Sequence, residues 1–287
     1  QCDWSLREED FGKLLSLEKK DKLKGGVFEL VGLSFSETEE CIRANELSHQ
    51  VLGRTDKLRK ALNFTHRWQP GKRARIGFLS SDFRNHAVGH QMIGLLKNLD
   101  RKRFEVFLYA TSSHEETLIR GQLVEASDSF RDLSASSLRV KAISIYEDEL
   151  DLLVDLGGFS LANNAEILAL KPAPRQAHYL GYASSMGRGL VDCVIADRWV
   201  LPSSTRKKYA EKIVHIDGCF FPPGLFSGFA RRSKRKEVGL PTKGFIYCAF
   251  HASYKIDPRI YRSWMRILKA VPDSVLWLKF KPSKDAF

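Results

Sequence analysis

Residues 75–90 read Arg75-Ile-Gly-Phe-Leu-Ser-Ser-Asp-Phe-Arg-Asn-His-Ala-Val-Gly-His90, and this one stretch contains a strand, a turn and a helix start. The apolar run at 76–79 has the length and character of a buried β-strand. Ser80, Ser81 and Asp82 follow it, small polar residues that suit a sharp turn and can cap a helix. His86 and His90 stand four apart, so a helix over them places both on one face. Open α/β sheets bind ligands beyond the carboxyl ends of their strands, where His86 falls, and a neutral imidazole there can hold a hydroxyl or phosphate oxygen. The pattern equally suits a histidine that only hydrogen-bonds the start of its helix. The stretch fixes a layout, and the role needs more.

Outward from it, strand-like runs recur at 104–109, 152–156, 177–180 and 191–196. Between them lie segments of helix length at 90–98, 115–126 and 163–170. Strands spaced by helices predict an α/β fold with a mainly parallel, doubly wound sheet and helices on both faces. Residues 1–70 read as a polar, helical lead-in. One imperfect stripe carries Trp4, Phe11, Leu14, Leu15 and Leu17; a second helix over 37–52 points Ile42, Leu47 and Val51 inward. Gly25-Gly26 breaks them and Pro70-Gly71 marks the boundary. A lobe over 71–226 is followed by a basic, breaker-rich linker at 227–243. Residues 244–287 then hold a strand at 245–250, a helix at 258–270 carrying Ile260, Trp264, Ile267 and Leu268, and a strand at 275–278. One β-α-β unit cannot cover both faces of its own sheet, so this part reads as the truncated beginning of a second lobe.

Composition narrows the class. Of 287 residues, 43% are hydrophobic and 28% charged, ordinary for a water-soluble globular chain. No apolar run approaches the roughly 18 residues of a membrane span, and the start lacks a secretory layout. The expectation is an intracellular protein, or a piece of a longer one. Five scattered cysteines without a CxxC pair support neither a zinc site nor a redox motif. The formal net charge of +12 raises nucleic acid as a partner. However, the basic runs around Arg231-Arg232, Lys234-Arg235-Lys236 and Arg206-Lys207-Lys208 lack interleaved aromatics, and solvated surface is the simpler reading.

Several further blocks resemble the catalytic region of protein O-GlcNAc transferases. They are Asp82 to His86, Leu153 to Gly158, Leu170 to Gln176, Leu180-Gly181-Tyr182, Tyr209 to Lys212, Tyr254 to Pro258 and Leu268 to Leu278; Cys2-Asp3-Trp4 is similar to the segment that joins this family's tetratricopeptide superhelix to its enzyme half. The resemblance implies a GT-B architecture, with one complete Rossmann-like lobe here and the start of a second. It also implies an inverting transfer of N-acetylglucosamine from UDP-GlcNAc to Ser or Thr hydroxyls of cytoplasmic and nuclear proteins. No metal, cofactor or membrane enters such a reaction, only a nucleotide sugar and a protein acceptor. A plant branch of similar sequence uses GDP-fucose, so the donor sugar stays open. A protein-binding lobe without catalysis is the other alternative.

The resemblance also assigns roles by position. His86 matches the family's active-site histidine, touching donor phosphate or sugar or orienting the acceptor hydroxyl. His90 matches a second histidine, in the cleft or packed behind it. Asp148 and Asp151 fall in the family's acidic segment, where Asp148 is the candidate to relay the acceptor's proton. Asp155, Gly157, Gly158, Gly181 and Tyr182 match the cleft wall, and Lys255 a contact to donor or acceptor. Three departures stand out: Ala183-Ser184-Ser185 where the family has Pro-Gly-Thr, Arg84 where it has Gly, and Asn164-Ala165 where it has Arg-Asn. The family's uridine- and pyrophosphate-binding segments have no counterpart before Phe287, which predicts a chain without useful transferase activity as given.

Overall fold

The structure, a computed structural model, describes residues 9, 13, 37–66, 73–112, 117–160, 162–182, 184–222, 233–251 and 255–279. The chain divides into two compact units, Gly25–Phe226 and a second made of Gln1–Lys24 with Ser227–Phe287.

The larger unit is built on seven strands, β1 (Ala74–Ser80), β2 (Phe104–Ala110), β3 (Ser129–Asp132), β4 (Leu152–Asp155), β5 (Gln176–His178), β6 (Cys193–Ala196) and β7 (Lys212–His215). All pair in parallel, in the order β3-β2-β1-β4-β5-β6-β7. The winding reverses between β1 and β4, and in open α/β sheets the loops leaving the carboxyl ends at such a reversal diverge into a ligand-binding crevice. Helices α1 (Glu37–Leu62), α2 (Ala87–Asn98), α3 (Leu118–Glu125), α4 (Leu138–Glu147) and α5 (Ala165–Ala169) cover the sheet.

Alternation along the central strands divides the core in two. Leu79, Phe107, Tyr109 and Leu153 face one cluster with Ile145 of α4, Leu168 of α5 and Ala44 and Val51 of α1. Phe78, Val106, Leu108 and Val154 face the other with Val88, Met92, Ile93 and Leu96 of α2 and Leu123 of α3. Successive strand residues point to opposite faces, and a strand buried on both therefore reads as a continuous apolar run. Those runs revealed β1, β2, β4, β5 and β6. The sequence reading did not foresee β3, α4 or β7. The β3 residues Ser-Phe-Arg-Asp are half-buried or exposed at the sheet's edge, and β7 buries only Ile213.

Helix α1 is longer than its expected span and lies within the Gly25–Phe226 unit. Its buried stripe is Cys41, Ala44, Ser48, Val51 and Thr55; Ile42, expected inward, is 53% exposed. Small residues win that face because the loop after Tyr182 comes in against the helix backbone. A Cβ on Gly187, whose φ is +71°, would stand 2.2 Å from the Ala44 carbonyl oxygen, and Arg188 N–H donates to Asn45 Oδ1 at 3.0 Å. The first expected stripe, Trp4 to Leu17, lies outside the described residues, as do Gly25-Gly26, Pro70-Gly71, Arg231-Arg232, Tyr254 and Ala183.

In the second unit, β8 (Ile246–Ala249) pairs in parallel with β9 (Val275–Leu278), joined through α6 (Pro258–Ala270). The Asp257 carboxylate caps α6, accepting from the N–H groups of Arg259 and Ile260, and Pro258 occupies the first turn, where its missing N–H costs nothing. Part of the basic linker, Arg235–Val238, forms an exposed 3₁₀ turn closed by Gly239 at φ +70°.

Candidate functional site

At the β1–β4 reversal, the carboxyl end of β1 runs into the loop 80–86. Ser80 Oγ accepts from Asp82 N–H, Asp82 O accepts from Arg84 N–H, and Arg84 O accepts from His86 N–H, so the chain turns tightly onto α2. Gly89 makes room for it, since a Cβ there would lie 2.4 Å from the Arg84 carbonyl oxygen. His86 is the N-cap of α2: its Nδ1 accepts from Val88 N–H at 3.3 Å and stands 3.7 Å from Asp82 Oδ2. An Nδ1 lone pair committed to the cap places the neutral ring's proton on Nε2. That atom has no hydrogen-bond partner among the described residues, and the side chain is 42% exposed. The helix-start role and the outward-facing role therefore coexist in one ring. His90, one turn on and exposed, pairs its Nε2 with Asn85 Oδ1 at 3.0 Å and steadies the turn before His86.

The opposite wall follows β4. Asp155 is fully buried; its Oδ2 accepts from Gly158 N–H at 2.6 Å and faces His178 Nδ1 of β5 at 3.2 Å. His178, equally buried, directs Nε2 to the Tyr182 carbonyl oxygen at 2.5 Å. Both ring nitrogens thus face acceptors, a setting for an imidazolium. Burial opposes that charge, but the Asp155 carboxylate and the Tyr182 carbonyl outweigh it and raise the His178 pKa above its ordinary value. Gly158, at φ +53°, lies under the Tyr182 ring, where a Cβ would come within 2.4 Å. Gly181 presses on the Leu156 carbonyl oxygen, 2.0 Å from where its Cβ would be, and on Val88 of α2. These glycines are fixed by close approach.

Beyond Tyr182, the Ser184-Ser185 departure still forms a pinned loop. Ser185 Oγ and Met186 N–H donate to the buried Glu211 carboxylate, and Ser184 Oγ donates to Glu40 Oε2 at 3.3 Å.

Asp148 is not brought to His86. It ends α4 at the amino edge of the sheet, where Arg75 Nη1 of β1 donates to its carbonyl oxygen. Its buried carboxylate accepts from Tyr109 Oη at 2.8 Å and is gripped by both Arg131 Nε and Nη2. Asp151 is at the same edge, accepting from Arg75 N–H at 2.8 Å. An acidic segment that precedes a parallel strand sits at that strand's start, and this explains both positions. Lys255 belongs to the second unit, exposed and two residues before the Asp257 cap. The sequence reading gave no site role to Gly89, His178 or Glu211. A histidine inside a fully buried strand was the available signal for His178.

The family model described as Glycosyl transferase family 41 matches residues 2–225 and 229–285. Over 217 residues the chain is 36% identical to an Arabidopsis thaliana protein named probable UDP-N-acetylglucosamine–peptide N-acetylglucosaminyltransferase SEC, covering 72% of this chain and 22% of that one. It is 38% identical over 154 residues to the Caenorhabditis elegans UDP-N-acetylglucosamine–peptide N-acetylglucosaminyltransferase, covering 53% of this chain and 13% of that one. The chain thus spans less than a quarter of either relative's length. Among solved structures, an O-GlcNAc transferase variant from Thermobaculum terrenum superposes with a TM-score of 0.63 at 24% identity, covering 73% of this chain and 39% of that one, which establishes the shared fold.

Proposed function

The chain belongs to glycosyl transferase family 41, and from that premise we propose that it forms the acceptor-side wall of an inverting transferase that moves N-acetylglucosamine from UDP-GlcNAc to Ser or Thr hydroxyls of proteins. In such a step the acceptor oxygen bonds to the anomeric carbon, the bond from that carbon to the diphosphate breaks, and the electron pair leaves with UDP while the hydroxyl proton is released. Negative charge grows on the diphosphate as the bond breaks, and a fixed donor aimed at it lowers the barrier.

The observation that carries the reading is the N-cap bond that His86 Nδ1 accepts from Val88 N–H. With Nδ1 held by Val88 N–H, Nε2 presents a proton outward from the carboxyl end of β1. In this state His86 is a hydrogen-bond donor to phosphate or sugar oxygen. To act as a base at Nε2 it would have to release the cap and turn an Nδ1 proton toward Asp82, now 3.7 Å away. The donor role needs no such rearrangement. Asp148, held by Arg131 and Tyr109 at the other edge, takes no part in proton transfer in this reading.

Incubating the chain, and any longer polypeptide its gene encodes, with a Ser/Thr peptide and either UDP-GlcNAc or GDP-fucose tests the proposal by mass spectrometry of the peptide. Addition of one N-acetylhexosamine supports it. Addition of deoxyhexose instead, or no transfer by the full gene product, overturns it.

A further inference from the structure

Two buried polar atoms beside β4 have no hydrogen-bond partner among the described residues: Asp155 Oδ1 and Asn164 Nδ2. Their residues are 0% and 5% exposed. They converge on one place. A Cβ built on Gly157 would lie 3.9 Å from Asp155 Oδ1, 4.0 Å from Asn164 Nδ2 and 3.6 Å from Ser160 Oγ, its three nearest atoms among the described residues outside Gly157 and its two chain neighbours. All three are polar, one a charged acceptor, one a donor and one a hydroxyl. Gly157 differs from its neighbours here: Gly158 and Gly181 have no room for a side chain, whereas Gly157 has room and an ordinary φ.

We propose that the hollow over Gly157 is a subsite for a single hydroxyl group, which accepts from Asn164 Nδ2 and donates to Asp155 Oδ1. The complementarity is specific. A bare acceptor would leave the Asp155 carboxylate unpaired and repel it. A bare donor would leave the Asn164 amide unpaired. Only an O–H group serves both, and an unpaired buried polar atom is the costlier outcome for the fold. Asp155 cannot turn away to find another partner, because its Oδ2 is fixed by Gly158 N–H and His178. The hydroxyl comes either from an ordered water or from a sugar entering the crevice; the chemistry is the same and the subsite does not depend on the transferase reading above.

Gly157→Ala and Gly157→Ser test it by thermal unfolding of the full chain, since the contacts of 3.6–4.0 Å allow a methyl group without a clash. Filling an apolar void, and stiffening the unfolded chain, would raise the melting temperature. Expelling a bound hydroxyl leaves two buried groups unpaired, and the expected result for Gly157→Ala is a fall of roughly 2–8 °C. Gly157→Ser carries its own hydroxyl into the hollow and recovers most of that fall. Repeating the series with tens of millimolar N-acetylglucosamine separates the sources: a rise in the wild type that is absent in Gly157→Ala assigns the hydroxyl to sugar, and no rise in either assigns it to water. Gly157→Ala at or above wild-type stability overturns the subsite. So does Gly157→Ser as unstable as Gly157→Ala, because the loss would then come from the backbone.

Discussion

At the amino edge of the seven-stranded sheet, aspartates fasten the strand starts: Arg75 N–H donates to Asp151, Val106 N–H to Asp128, and Gln176 N–H to Asp192. Asp148 joins them there, gripped by Arg131 and Tyr109. At the carboxyl edge, between β1 and β4, the polar groups are held on one side and open on the other. His86 is capped through Nδ1 and Asp155 fixed through Oδ2, while His86 Nε2 and Asp155 Oδ1 have no partner among the described residues. Residue type does not separate the two regions, since both rely on carboxylates. Asp148 marks the contrast: both of its oxygens are bonded within the protein, whereas His86 and Asp155 each keep one hydrogen-bonding atom without a partner among the described residues. A carboxylate saturated by an arginine and a phenol is a fastening, and a half-satisfied group beside glycines that let two loops close on each other can meet a ligand.

The largest expected effect would break this contrast if it failed. His86→Asn keeps a side-chain oxygen to cap Val88 N–H but removes the outward donor, whereas His86→Ala removes both. In the transfer assay both variants should lose about 10²–10³-fold in kcat, the usual worth of such a donor. Only the alanine variant should also lose stability, by about 1 kcal/mol. Equal activity of His86→Asn and wild type would make His86 a cap and nothing more.

Asp148→Ala is the matching test at the other edge. Removing the carboxylate leaves the buried Tyr109 hydroxyl without its acceptor and Arg131 without its counter-ion, a loss of about 2–4 kcal/mol, below the fully buried extreme because the Arg131 side chain is 44% exposed. Chemical denaturation measures that loss, and turnover per folded molecule should stay near wild type. A large drop in turnover with stability intact would return Asp148 to the chemistry. Asp151→Ala removes one cap, the acceptor for Arg75 N–H, and should cost about 1 kcal/mol with no effect on transfer.

How far the sequence foretold these regions follows from the same physics. The apolar runs of β1, β2 and β4 were legible because two-sided burial leaves little room for polar residues in a central strand. Edge strands β3 and β7 bury so little that their residues carry no such signal. At the site, His86 was visible because a strand end followed by turn residues fixes its position by local geometry alone. The place of Asp148 was not, because a residue before a strand and one after it look alike until the direction of the parallel sheet is known. His178 meets Asp155 only through pairing between β4 and β5, a contact spanning 23 residues of chain that no short motif encodes.

The smallest effect is a drift of stability with pH, and it probes the carboxyl edge away from His86. In the folded protein, burial lowers the His178 pKa while Asp155, the Tyr182 carbonyl and the more distant Glu211 raise it, with a net rise above 6.5. The folded state therefore holds the proton more tightly than the unfolded chain does. The stabilisation this supplies is complete below about pH 6.5, the unfolded value, and is lost as pH climbs through the raised folded value. His178→Gln retains an amide to bond Tyr182 or Asp155 but cannot titrate. Melting temperatures of the two proteins measured from pH 6 to pH 9 should differ most at the acidic end and converge toward the alkaline end. A constant gap across that range would mean that Asp155 and His178 share no titratable proton, and that the wall opposite His86 is held by neutral hydrogen bonds, like the strand starts at the other edge.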